Sequence, residues 1–245
     1  MSLNNKFRKV DLHIHTPVST CYSDKSTTPD RIVDAALAIG LEAIAVTDHN
    51  TGEGIDTVSR AGAEKGLVVF PGVELSTKEG HFVSIFDTNT SLGYLRTLLD
   101  GVGITQEAAG DGHALATADI ESIFRIFHEA GGIIIAAHID RWPSGFIETK
   151  QSRRVKEIIH ASDCLDALEI TIPQNKGLWN EGLVHGYPRK SACIQASDAH
   201  SITEIGRRPV YIEMEQIGIT GLRSAFKYYR NKIVFPQDKS TDNSK

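Results

Sequence analysis

Short apolar runs rich in β-branched residues recur along the whole chain, at residues 10–14, 43–46, 68–73, 82–86, 133–137, 167–170, 192–196 and 210–212. They are continuous rather than strictly alternating, which is the pattern of strands covered on both faces. Helical patterns separate several of them. Thr28 is placed to cap a helix that Pro29 begins, Ile32, Ala35, Ala36 and Ile39 follow at helical spacing, and Gly40 ends it. Ile120, Ile123, Phe124 and Phe127 repeat the spacing before Gly131 and Gly132, and a third helix is expected over 220–229. Repeated strand–helix units predict an α/β fold with a mainly parallel sheet, and seven or eight strands suit a closed barrel. No linker divides the chain, so one domain is expected over residues 1–236. The polar stretch 237–245 reads as a disordered tail. Glycine-rich residues 101–117 lack clear periodicity and read as an insertion or mobile loop.

Composition narrows the function. The 245 residues carry 26 basic and 31 acidic groups, a formal charge of −5, which gives no polyanion-binding footprint and no expectation of a stable nucleic-acid partner. The longest apolar run is far too short to span a bilayer, so no membrane partner is expected either. The opening MSLNNKFRKV has no secretory pattern, and three widely spaced cysteines suit reduced thiols, so a cytoplasmic location is expected.

Histidine carries the chemical signal. His13 and His15 end the first run at a spacing that points both to one side of a strand. His49 follows the second run in Thr47-Asp48-His49-Asn50, Glu74 follows the third, and His81 begins the fourth. His138 ends the fifth, and the seventh ends in Ser197-Asp198-Ala199-His200. Six of the ten histidines thus gather with Glu74 and Asp198 at run ends, where a parallel barrel builds its site. Any one motif alone has an ordinary structural explanation, such as a core histidine or a helix cap. Their recurrence at successive run ends points instead to a Zn, Mn or Fe site, and six imidazoles exceed the needs of one ion. His128, His160 and His185 are expected to be structural, and His113 solvent-exposed.

Asp11-Leu12-His13-Ile14-His15-Thr16, Ala45-Val46-Thr47-Asp48-His49-Asn50, Pro71-Gly72-Val73-Glu74, His138 and Ser197-Asp198-Ala199-His200, in that order, resemble the PHP (polymerase and histidinol phosphatase) family. The resemblance covers about residues 9–213. It implies a distorted (β/α)7 barrel, two or three divalent transition metals (Mn, Zn or Fe) and hydrolysis of phosphate esters by a metal-activated water. It further implies His13, His15, His49, Glu74, His81, His138, Asp198 and His200 as ligands, with Glu74 bridging and Glu74, Asp198 and His200 as the catalytic members. One family ligand position falls on Asp24, with Cys21 as its rival.

The expected substrate is a phosphorylated small molecule, a nucleotide or a short oligonucleotide. Arg141, Arg207 and Arg208 are the candidate phosphate-binding cations; Arg141 is preferred because Trp142 and Pro143 beside it can hold a stacked base or an apolar leaving group. The alternatives are a metal-dependent amidohydrolase, which typically has a bridging lysine where Glu74 stands, and a non-catalytic regulatory or structural domain.

Overall fold

A computed structural model describes residues 6–239. Its strands are β1 (Phe7–Ile14), β2 (Ala43–Val46), β3 (Val68–Thr77), β4 (Gly80–Ile85), β5 (Ile133–Ala136), β6 (Ala167–Glu169), β7 (Ala192–Ile194), β8 (Val210–Glu213) and β9 (Ile233–Val234). Each of the eight apolar runs is a strand. β9 is only two residues long and leaves no pattern in the sequence. The helices are α1 (Pro29–Ala38), α2 (Ile55–Lys65), α3 (Leu92–Gly101), α4 (Ile120–Glu129), α5 (Arg153–Ala161), α6 (Lys176–Glu181), α7 (Ile219–Lys227) and α8 (Tyr229–Lys232). As expected, α1 is capped by the Thr28 side chain, which accepts from the Arg31 amide.

The strands form one sheet in the order β7-β6-β5-β4-β3-β2-β1-β8-β9. After β7 the chain reaches back to the top of β1, where the His15 amide donates to the Ala199 carbonyl at 2.9 Å, and the sheet becomes a nearly closed barrel. Asp11 fastens this seam from inside, accepting from the Ser197 amide at 2.9 Å and the Gly206 amide at 2.8 Å. The fold is therefore the mixed α/β barrel expected, but the sheet is not mainly parallel. β3–β4, β4–β5, β1–β8 and β8–β9 are antiparallel. Only Lys78 and Glu79 separate β3 from β4, far too few residues for the crossover that a parallel neighbour needs.

β1 shows how the barrel positions a site. Val10, Leu12 and Ile14 join the hydrophobic core, while the alternate residues Asp11 and His13, also fully buried, take the other side. The loop between α3 and α4, expected to be an insertion or a mobile loop, is hydrogen-bonded to the ends of the barrel strands. The Gly110 amide donates to the His49 carbonyl, Asn50 Nδ2 donates to the carbonyls of Asp111 and Ala114, and the Ala116 amide donates to Ser76. A glycine is needed where this loop crosses His49, because a Cβ at Gly112 would sit 2.9 Å from His49 Nε2. Pro236–Lys239 form a 3-10 turn at the start of the expected disordered tail; residues 240–245 of that tail lie outside the described residues. Among the described residues, no helix is long and apolar enough to cross a membrane.

Candidate metal centre

Eight of the nine expected ligands gather in one cluster centred on the fully buried carboxylate of Glu74. Glu74 Oε2 lies 3.4 Å from His13 Nε2, 3.3 Å from His15 Nε2 and 2.8 Å from His49 Nδ1. Its other oxygen, Oε1, lies 3.0 Å from both His81 Nδ1 and His138 Nε2. Asp198 Oδ1 adds a second carboxylate, 3.2 Å from His13 Nε2 and 3.0 Å from His15 Nε2. The His200 ring stacks on His15 with centroids 4.1 Å apart.

On three of the rings the other nitrogen is held from behind, and that fixes which nitrogen faces the cluster. Ser19 Oγ gives its single proton to Asp48 Oδ1 at 2.6 Å, so His15 Nδ1 must donate to Ser19 at 3.0 Å. His13 Nδ1 donates to Glu169 Oε2 at 2.8 Å, and His200 Nδ1 to the Asp198 carbonyl at 2.9 Å. The Nε2 lone pairs of all three are then free to face inward. His13 Nε2, His49 Nδ1 and Glu74 Oε2 are buried without a hydrogen-bond partner, and at His13 acceptor meets acceptor. Buried unpaired polar atoms are costly, so a positive charge is required between them, either protons or metal ions.

Protonation directions agree. Burial works against charge on His13, yet the facing carboxylates of Glu74, Glu169 and Asp198 hold it well above the ordinary imidazole value. His15 is raised in the same way, to about 9. Burial opposes ionisation of Glu74 as well, and the surrounding His49, His13 and His81 outweigh it and hold the carboxyl well below its usual range. His200 goes the other way, to about 4, through burial and the charge of His15.

The donor set fits divalent transition metals. Ligand atoms come within 4.8 Å of one another in three overlapping groups: His13 with His15, Glu74 and Asp198; His49 with Glu74 and His81; and His15 with His49 and His200. His138 and Asp198 both have positive φ, 28° and 47°, a sparsely populated region for non-glycine residues that is commonest where function demands it.

Four candidates fall elsewhere or behave differently. Asp24 is not brought to the cluster: half-exposed, it accepts from the Ser26 amide and hydroxyl and pairs with Arg31, because it lies in the loop that leads into α1. Its rival Cys21 lines the cleft above the cluster. Arg207 and Arg208 do not line that cleft. Arg207 donates to the Ser197 carbonyl and pairs with Glu204, bracing the 197–200 loop, and Arg208 donates to the Ile170 carbonyl just past the end of β6. Arg141 does line the cleft and pairs with Asp198 Oδ2.

Glu169 is a site residue that the sequence reading passes over. It ends β6, fully buried, and its only warning in the sequence is a charged residue inside the apolar run Ala167-Leu168-Glu169-Ile170. The exposed His113 lines the same cleft of about 690 Å³, and His160 is buried away from it.

The family model described as PHP domain matches residues 11–159, more than half the chain. A 5'-3' exoribonuclease of Haemophilus influenzae is 37% identical over 83 residues, 34% of this chain and 29% of that protein. This chain spans half or less of the curated relatives of which that enzyme is one. Among solved structures, a lesion-specific endonuclease from Pyrococcus furiosus matches with a TM-score of 0.68 at 20% identity, over 93% of this chain and 57% of that one. A two-domain protein from Bacteroides vulgatus, which contains a predicted PHP-like metal-dependent phosphoesterase, matches with a TM-score of 0.65 at 18% identity, over 94% of this chain and 66% of that one. These likenesses establish the same fold.

Proposed function

The chain belongs to the PHP domain family of metal-dependent phosphoesterases, and on that premise we propose that it hydrolyses phosphate esters with two or three divalent cations. The ligands in this reading are His13, His15, His49, Glu74, His81, His138, Asp198 and His200, and the whole of residues 1–236 serves as one catalytic domain. The observation that carries it is Glu74, whose Oε2 faces three imidazoles while Oε1 faces two others. A carboxylate so placed is suited to bridge neighbouring cations. Manganese, zinc and iron all suit imidazole and carboxylate donors.

Bound cations of this kind polarise a phosphoryl oxygen and lower the pKa of water so that it attacks at neutral pH. The protein contributes position and charge. Ser19, Glu169 and the Asp198 carbonyl orient His15, His13 and His200. Arg141 reaches the cleft with its guanidinium on Asp198, where it can donate charge-assisted hydrogen bonds to phosphate oxygens. The substrate is a phosphorylated small molecule, a nucleotide or a short oligonucleotide, met in the cytoplasm. An amidohydrolase is disfavoured because Glu74, not a lysine, occupies the bridging position.

The test is hydrolysis by purified chain, stripped with chelator and resupplied with Mn, Zn or Fe. Release of phosphate or nucleotide from 4-nitrophenyl phosphate or a 5'-phosphorylated oligonucleotide, lost on chelation and restored by metal, is the expected result. No turnover with any of the three metals would leave the non-catalytic reading, and cleavage of an amide ring or side chain instead would favour the amidohydrolase.

A further inference from the structure

The cleft extends well beyond the histidines, to an outer wall that carries two lysines and a tryptophan. Two segments build that wall, the β3–β4 turn with Lys78 and the 141–152 loop between β5 and α5. They are fastened together: the His81 amide donates to the Ser144 carbonyl at 2.9 Å, and Gln151 Nε2 donates to the Lys78 carbonyl at 3.1 Å. Lys156 braces the loop from below through the carbonyls of Ile147 and Thr149. Gln151 adjoins Lys150 in sequence, so Lys78 and Lys150 share one side of the cleft.

Two of the wall's cations are without partners among the described residues. Lys6, Lys65, Lys176 and Lys190 each pair with a carboxylate. Among the described residues, the ammonium groups of Lys78 and Lys150 make no ion pair or hydrogen bond. Glu148 lines this wall and Glu79 lies buried in its turn, while Arg141 is already matched by Asp198, so the cations left without a partner on the wall are Lys78 and Lys150. Trp142 stands on the same wall, 73% exposed, the most exposed of the large apolar side chains.

We propose that this wall is a nucleotide subsite, in which Trp142 stacks on a base while Lys78 and Lys150 hold a phosphate other than the one being hydrolysed. The proposal rests on the phosphoesterase reading and gives its substrate class: a nucleotide unit with at least two phosphates, as in a short oligonucleotide end. An exposed indole offers a face to any base, and lysines act as point charges toward phosphate, so recognition here is tolerant of sequence.

Two measurements test it. The chain has two tryptophans, and Trp179 is buried against His160 and Tyr187, so Trp142 is the fluorophore that a ligand in the cleft can reach. The metal-loaded protein should show saturable quenching by a slowly cleaved phosphorothioate dinucleotide and none by pyrophosphate. Kinetically, kcat/KM is compared for a dinucleotide and its counterpart lacking the terminal base. Trp142→Ala should lower the preference for the base-bearing substrate by about ten-fold or more, and Lys78→Ala with Lys150→Ala should weaken both substrates together. No quenching, or a preference within two-fold of the parent in Trp142→Ala, would overturn the subsite even if both substrates are cleaved. Quenching without any phosphoester turnover would instead overturn the phosphoesterase reading and leave the subsite standing.

Discussion

Histidine is buried in two very different parts of this barrel. At the strand ends, His13 and His15 face Glu74, Glu169 and Asp198, and their pKa values rise despite full burial. On α5, His160 packs against Trp179 and Tyr187, with ring centroids 5.5 and 5.3 Å away, and among the described residues its ring hydrogen-bonds only the Ser191 hydroxyl, at 3.2 Å. No carboxylate faces it; burial first, then the charge of Arg189, lowers its pKa to about 4. Burial alone therefore makes a neutral core imidazole. Burial with convergent carboxylates makes a site that demands positive charge.

Removing that demand should give the largest effect. Glu74→Gln keeps the shape of the side chain but withdraws the charge that five imidazoles face. It should lower kcat by roughly a hundred-fold or more, about 3 kcal/mol, with loss of bound metal seen by elemental analysis. Full activity in this variant would erase the distinction between the two regions.

Next comes the support behind the cluster. Glu169→Ala leaves His13 Nδ1 without its acceptor, so the ring loses both orientation and basicity. Metal affinity should fall by about 10–100-fold, the usual cost of losing a ligand's hydrogen-bond partner, measured by competition with a chromogenic chelator. His160 has no such chemistry, and its replacement by Phe should leave metal affinity as in the parent.

The two regions also separate by pH. The folded chain holds His160 near 4, whereas the unfolded chain takes up its proton near 6.5. The depressed value means that the unfolded state binds the extra proton in this window, so stability rises with pH from about 4 to 6.5 and is complete above it. Denaturant unfolding of the parent relative to His160→Phe should show that difference as about 1 kcal/mol between pH 7 and pH 5. A parent-to-variant difference constant across this range would remove the assignment.

The smallest effect is expected at Asp24. Its carboxylate holds Ser26 and an exposed Arg31, an ion pair of little energetic weight. Asp24→Asn should change metal content and kcat/KM by less than two-fold, as inductively coupled plasma analysis and steady-state kinetics would report.

The strands were legible because continuous apolar runs leave few alternatives, and the buried cluster was legible because its residue types recur where those runs stop. Glu169 was not, since it stands inside a run with no turn or motif to mark it; its meaning comes from His13, 156 residues away in sequence. Asp24 shows the reverse error. Its offset from Pro29 matched a family position, but an Asx-type bond to the Ser26 amide two residues on turns its carboxylate outward. Arg207 and Arg208 lie outside the lining of the cleft because backbone carbonyls, Ser197 at the seam and Ile170 after β6, take their guanidinium donors. The antiparallel β3–β4 pairing was implicit in the two-residue spacing at Lys78-Glu79, which the apolar pattern alone does not weigh.

The central claim is that the imidazoles around Glu74 serve a multinuclear metal centre, and metal stoichiometry tests it most directly. Chain reconstituted with manganese or zinc, freed of loose ions by gel filtration and measured by elemental analysis, should hold two or three metal ions per chain. Glu74→Gln should hold fewer. Less than one ion per chain after reconstitution with each metal would contradict the account, because the buried acceptors around Glu74 would then be satisfied by protons alone.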